Sequence, residues 1–135
     1  MRAAAALVIL SLAAACTDSL PDQDLRILSA TPVMKLSADI LWKEYAADRA
    51  AADRNYRGKA IVVTGTATST GSDVPTDRFV LFGQTEDKAL GVRANLLDEQ
   101  AVAILERAKA EPRMTLKCFC QGLDGHVVLK SCVAP

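Results

Sequence analysis

The stretch KAIVVTGTATST (59–70) is dense in β-branched residues and holds the longest strand signal in the chain, interrupted once at Gly65. Side chains branched at Cβ fit a pleated, half-buried surface, so the run predicts a strand. A glycine within such a run marks a bend or a bulge. A first strand that bends at its middle can serve both halves of a small closed barrel, and the neighbouring segments fit that expectation.

On the C-terminal side a polar stretch leads to RFVLFG (78–83), a second strand, and to KALGVRANL (88–96), a third, with turn and charged residues from Gln84 to Lys88 between them. LLDEQAVAILERAKAE (96–111) then returns to helical period, with Leu97, Ala101, Ile104, Leu105 and Ala108 on one stripe, until Pro112 ends it. RMTLKCFCQG (113–122) and HVVLKSCV (126–133) read as two more strands joined around Asp124-Gly125, a dipeptide favoured in tight hairpins. On the N-terminal side SADILWKEYAADRAAADRNY (37–56) predicts one amphipathic helix over about 38–53, with Ser37 as N-cap and Asp39 in the first turn. Trp42 and Tyr45 are expected as packing residues of that helix. Helix, three strands, helix, two strands is the element order of the OB-fold, a mainly β (α+β) five-stranded Greek-key barrel. The second helix lies between strands three and four, and the first is an extra N-terminal helix. An open antiparallel sheet with both helices on one face has the same elements and is the alternative.

The first thirty-five residues have a different character. Behind Arg2 an apolar run extends from Ala3 to Ala15, thirteen residues, whereas a membrane-spanning helix needs about 20. A positive end, a short apolar centre and a small-residue exit is the layout of a secretory signal over residues 1–15. Ala13, Ala14 and Ala15 before Cys16 resemble a lipobox, which predicts cleavage before Cys16 and acylation of its sulfur. Leu12 stands one place earlier than usual for that motif, so ordinary cleavage after Ala15 is the competitor. Thr17 to Pro32, with two prolines and several Ser and Asp, reads as part of a flexible tether over 16–35. Residues 36–135 then form the single domain for which the mature chain has room.

The run WKEYAADRAAADRNYRGKAIVVTGTATS (42–69), followed by CQGLDGHVVLKSC (120–132), resembles the bacterial tRNA_anti-like family of OB-fold proteins, many of them small chains with lipoprotein-type signals. The shared features are a helix ending in A-x-x-x-Y-x-G-K, a V-x-G-x first strand and a closing C-x-G hairpin with a second cysteine near its end. The likeness covers about residues 36–133. The family name records similarity to an anticodon-binding domain, and no RNA-binding role is carried over from it.

Composition argues against nucleic acid. The precursor has sixteen basic and sixteen acidic side chains and six aromatics in all, whereas single-strand binders combine a basic groove with aromatic platforms. In the second strand Arg78, Val80 and Phe82 face one way and Phe79, Leu81 and Gly83 the other, so at most one phenylalanine there points outward. Catalysis finds little support either. His126 is the one histidine, no G-x-S-x-G elbow presents a nucleophile, and Asp98 and Glu99 are explained by the helix start they occupy.

Cys118, Cys120 and Cys132, with His126, amount to four possible metal ligands, but outside the cytosol a disulfide across the final hairpin is the expected arrangement, with no metal and no cofactor. Simple register about a turn at 124–126 sets Cys118 opposite Cys132. The family resemblance instead implies the pair Cys120 and Cys132, with a bulge absorbing the offset, and this is the expected bridge; the remaining thiol would be a buried filler. The function these readings point to is a non-catalytic binding module, anchored by lipid at Cys16 to the cell envelope, at the outer membrane facing the periplasm. A peptide, glycan or envelope protein would bind on the face of strands two and three, with the loops at 70–77 and 122–126. Arg78, Phe82, Arg93 and His126 are the candidate ligand-binding residues, and a nucleic-acid-binding module is the alternative.

Overall fold

The structure is a computed structural model that describes residues 20–72, 78–83 and 91–135. Among the described residues six strands and three α-helices follow in chain order: β1 (Met34–Ser37), α1 (Ala38–Ala47), α2 (Arg49–Tyr56), β2 (Ala60–Ser72), β3 (Arg78–Phe82), β4 (Val92–Leu96), α3 (Asp98–Ala110), β5 (Arg113–Asp124) and β6 (His126–Val133). The order β2-β3-β4-β6-β5 closes on itself because β2 also pairs with β5, giving a five-stranded barrel with the OB-fold arrangement. Within the barrel all neighbours are antiparallel except β4 and β6, which run parallel.

β2 does what its sequence predicts. Its first half, Ala60 to Thr66, pairs with β5, and its second half, Ala67 to Ser72, pairs with β3. Gly65 sits just before the change of partner, and a Cβ there would come within 2.9 Å of the Phe82 ring. The glycine therefore lets the strand fold down onto a core aromatic, and any larger residue would have to displace it. Inward-facing residues of every barrel strand, among them Ile61, Val80, Ala94, Leu116 and Leu129, are fully or almost fully buried. Ala101, Ile104 and Ala108 of α3 join the same core, as the helical stripe predicts.

The expected helix over 38–53 is two helices. Asp48 is extended, and its N–H closes α1 on the carbonyl of Glu44 while its side chain accepts the N–H of Ala51 to start α2. No glycine or proline announces this break; a short carboxylate competing for backbone groups makes it. The break brings both Tyr45 of α1 and Tyr56 of α2 onto the barrel, with ring centroids 6.5 Å apart.

The segment read as tether also differs. From Leu20 onward it packs on the barrel: a 3-10 turn at Leu25–Leu28 buries Ile27 against Ala60, Leu97 and Val133, and β1 pairs in parallel with Ile61 to Thr64 of β2. Gln23 completes the strap. Leu97, the N-cap of α3, has no side chain able to cap it, and Gln23 Oε1 accepts the N–H of Asp98 at 2.8 Å in its place. Residues 1–19, including the expected signal and Cys16, lie outside the described residues, as do 73–77 of the expected binding loop.

Candidate functional site

The bridge joins Cys118 to Cys132, with Cα atoms 4.3 Å apart, and corrects the expected pairing of Cys120 with Cys132. The reason is a pair of compensating bulges. Going away from the hairpin turn, β5 carries one extra residue near Gln121, and β6 carries one extra at Ser131 or Cys132. The two cancel and restore the simple register, so Cys132 meets Cys118. Cys120, set opposite Leu129 between the bulges, is left as a buried free thiol. Its Sγ lies 3.5 Å from the hydroxyl of Tyr45, which donates its proton to Asp53 Oδ1 at 3.0 Å, so the thiol is the donor to the phenol. Burial pushes the Cys120 thiol up, and burial followed by these partners pushes the Tyr45 phenol up as well. Tyr56, which donates to Glu44, is pushed up to about 12, chiefly by burial. The thiol and both phenols therefore keep their protons at pH 7, and the group serves packing.

Of the four candidate binding residues, Phe82 is excluded from any surface: it is fully buried beneath Gly65. The outward phenylalanine is Phe79. Sequence alternation separates the two sets on β3 but does not say which faces out, because both contain apolar residues. Phe79 is set opposite Gly71 of β2 and Asn95 of β4, and its ring lies over Gly71, where a Cβ would come within 2.2 Å of two ring carbons. Arg93 completes the group. Its guanidinium carbon is 3.9 Å from the ring centroid, and its Nε donates to Asn95 Oδ1 at 2.9 Å. A guanidinium held over an aromatic face and bonded to a neighbouring amide is oriented by both partners.

The register sets the remaining two apart. Arg78 opens β3 opposite Ser72, at the end where β4 finishes. His126 opens β6 next to Val127, which pairs with Val92 at the start of β4, so it lies at the opposite end of the β3–β4 pair. Four residues of strand, about 13 Å, separate those ends. His126 Nε2 is buried and has no hydrogen-bond partner. Arg93, Phe79 and Asn95 are thus the residues that the fold brings together, and two of these three were not singled out by sequence. Among the described residues no group of three or more His, Cys, Asp or Glu side chains is placed to hold a metal ion.

A concavity of about 300 Å³ lies between α2 and the β5–β6 hairpin and is lined by Arg49, Asp53, Arg57, Asp124 and Lys130 among others. Its charges are largely engaged within the fold. Arg49 donates to the carbonyl of Leu123 at 2.9 Å, and Lys130 pairs with Asp22 at 2.8 Å.

Comparison with known proteins agrees with this architecture. The tRNA_anti-like family profile matches residues 3–133, almost the whole chain. The chain belongs to the tRNA_anti-like family. Among solved structures it is similar to one bearing the name "putative nucleic acid-binding lipoprotein", from Klebsiella pneumoniae, with 15% identity and a TM-score of 0.56 over 83% of this chain and 97% of that one. At that identity the likeness is one of fold. No curated protein matches the chain. Within the tRNA_anti-like barrel, the outer face of β3 and β4 is the surface on which OB-folds carry ligands, and it is here that Phe79, Arg93 and Asn95 meet.

Proposed function

We propose that this tRNA_anti-like protein is a non-catalytic binding module of the cell envelope, lipid-anchored through Cys16 at the outer membrane and facing the periplasm. An extended peptide or glycan lies across the outer face of β3 and β4. The observation that carries this reading is the Arg93 guanidinium set over Phe79 and tied to Asn95, because it places an oriented cation beside an apolar ring on the outer face of the barrel. Such a pair suits sugar hydroxyls, peptide carbonyls or a carboxylate. The signal-like run before Cys16 and the disulfide, which belongs to an oxidising compartment, support the address.

The same pair favours a second reading, in which a base of single-stranded nucleic acid stacks on this face. The printed name of the Klebsiella neighbour points the same way. Titration of the protein with soluble peptidoglycan fragments, and with single-stranded DNA and RNA at two salt concentrations, separates the two. Fragment binding that weakens about tenfold or more in Arg93→Ala, the 1.4 kcal/mol or more of a charge-assisted contact, supports the first reading. Strand binding with a steep salt dependence supports the second. Binding unchanged by both Arg93→Ala and Phe79→Ala sinks the assignment of this face.

A further inference from the structure

We infer that the N-terminal strap is a membrane-docking surface: Leu25 and Leu28 enter the lipid interface, and the barrel sits on the bilayer with the outer face of β3 turned away from it. This rests on the proposed acylation of Cys16.

The first observation is where the described chain begins. The N–H of Leu20 donates to Gln121 Oε1 at 2.8 Å, and Lys130 Nζ donates to the carbonyl of Leu20 at 3.0 Å. Leu20 is therefore held at both backbone groups on the outside of the β5–β6 hairpin. Only four residue steps separate it from Cys16, a reach of at most about 14 Å. A domain of this size has a radius of gyration near 13 Å. A lipid attached at Cys16 must consequently lie on the β5–β6 side of the barrel, since the intervening chain is too short to carry it around.

The second observation is what the strap exposes. Six large hydrophobic side chains are exposed among the described residues, and four of them, Leu25, Leu28, Val33 and Met34, fall within ten residues of one another in this segment. In a 3-10 turn, side chains three apart eclipse, so Leu25 (61% exposed) and Leu28 (47%) project from the same side, while Ile27 is fully buried against the barrel. A short helical turn with one face locked to a rigid body and two leucines on the other has the form of an interfacial insertion.

The third is the order of the strands around the barrel. β2 neighbours β5 and β4 neighbours β6, so β3 is the one strand of the ring that borders neither strand of the hairpin, and the Arg93 guanidinium lies over its Phe79. If the strap meets lipid, the face carrying Arg93 and Phe79 points into the aqueous compartment. The bilayer and the ligand then occupy different sides of one small domain.

The experiment uses the acylated protein in phosphatidylethanolamine–phosphatidylglycerol vesicles with brominated acyl chains. Tryptophan at Leu25 (Leu25→Trp) is compared with one at Val102 (Val102→Trp), a residue 58% exposed on α3, after subtraction of the native Trp42 signal. The expected result is quenching of the residue-25 signal at least about twofold stronger than that at residue 102. Vesicle flotation of the protein and of Cys16→Ala reads the anchor separately. Flotation with equal quenching at both positions overturns the docking and leaves the anchor standing. Absence of flotation, with an unmodified mass at Cys16, overturns the anchor and the docking with it. Dimerisation of the Cys16→Ala protein that Leu25→Glu abolishes would assign the patch to a second copy of the chain instead.

Discussion

The outer surfaces of the β5–β6 hairpin and of the β3–β4 pair belong to the same barrel but are finished in opposite ways. The hairpin is covered: the strap crosses it from Leu20 to Ala30, tied to Gln121, Lys130, Ser131 and Lys117. Ser131 is fully buried at φ 56°, and its hydroxyl accepts the N–H of Asp24 at 2.8 Å. The bulge that turns this serine toward the strap is also part of the offset that brings Cys132 to Cys118. The β3–β4 surface has no such cover among the described residues, and its aromatic ring is covered by a charged group instead of by chain. Sealing one side with backbone and furnishing the other with side chains is how a barrel of this size can separate attachment from recognition.

The sharpest break between inside and outside is on β3 itself. Phe82→Ala should cost about 3–5 kcal/mol, because it empties a site sealed by Gly65. Phe79→Ala should cost about 1 kcal/mol or less while weakening ligand binding, because its ring is only half-buried and lies under Arg93. Urea unfolding of the two variants checks this; comparable losses would mean that the β3–β4 face is part of the core and not a surface for recognition.

The next effect concerns the covered side. The loop closed by the bridge spans a sequence separation of 14, for which restriction of the unfolded chain is worth about 3 kcal/mol. Cys118→Ala should lose about that much and abolish the bridged mass, whereas Cys120→Ala should lose about 1 kcal/mol and retain it. Non-reducing peptide mapping together with unfolding midpoints reads both. A bridged species in Cys118→Ala, joining Cys120 to Cys132, would show that the compensating bulges are dispensable.

Much of this was legible in the sequence, and what was not has a common cause. Strands β2 to β6 and helix α3 follow from period and from local breakers, because each buries one face of a regular element: Gly65 marked the bend and Asp124-Gly125 the hairpin. The choice between Phe79 and Phe82 was hidden because RFVLF is apolar on both faces, and the deciding feature, the close approach of Phe82 to Gly65, is long-range. The split at Asp48 was hidden by alanine-rich flanks that favour helix on either side. The strap was hidden most deeply. Its prolines and polar residues read as linker, and its order comes from partners such as Gln121, Leu96 and Ser131, more than seventy positions away. The bulge at Ser131 left no mark at all, since a non-glycine residue with positive φ has no sequence signature of its own.

The smallest effect tests whether the strap is held by charge as well as by burial. Asp24 caps the 3-10 turn by accepting the N–H of Arg26 at 3.0 Å, and its carboxylate also binds the Arg26 guanidinium at 2.6 Å. The side-chain hydrogen bond from Arg26 is the main cause that holds the Asp24 carboxyl below its ordinary value, which is about 3.9. A carboxyl depressed on folding contributes stability that is present above its unfolded value and disappears as the pH falls through the lower, folded one. The strap should therefore keep its grip at neutral pH and loosen only in acid below about pH 4. The effect is modest because the guanidinium is 76% exposed and screened by water. Hydrogen exchange at the amides of residues 24–28 should accelerate, relative to the intrinsic rate, as the pH drops below that point, while β3 and β4 stay protected. Asp24→Asn should remove the pH dependence, because the cap can persist without the charge. An identical acid response in that variant would locate the titrating group elsewhere and leave burial of Ile27 as the force that holds the strap.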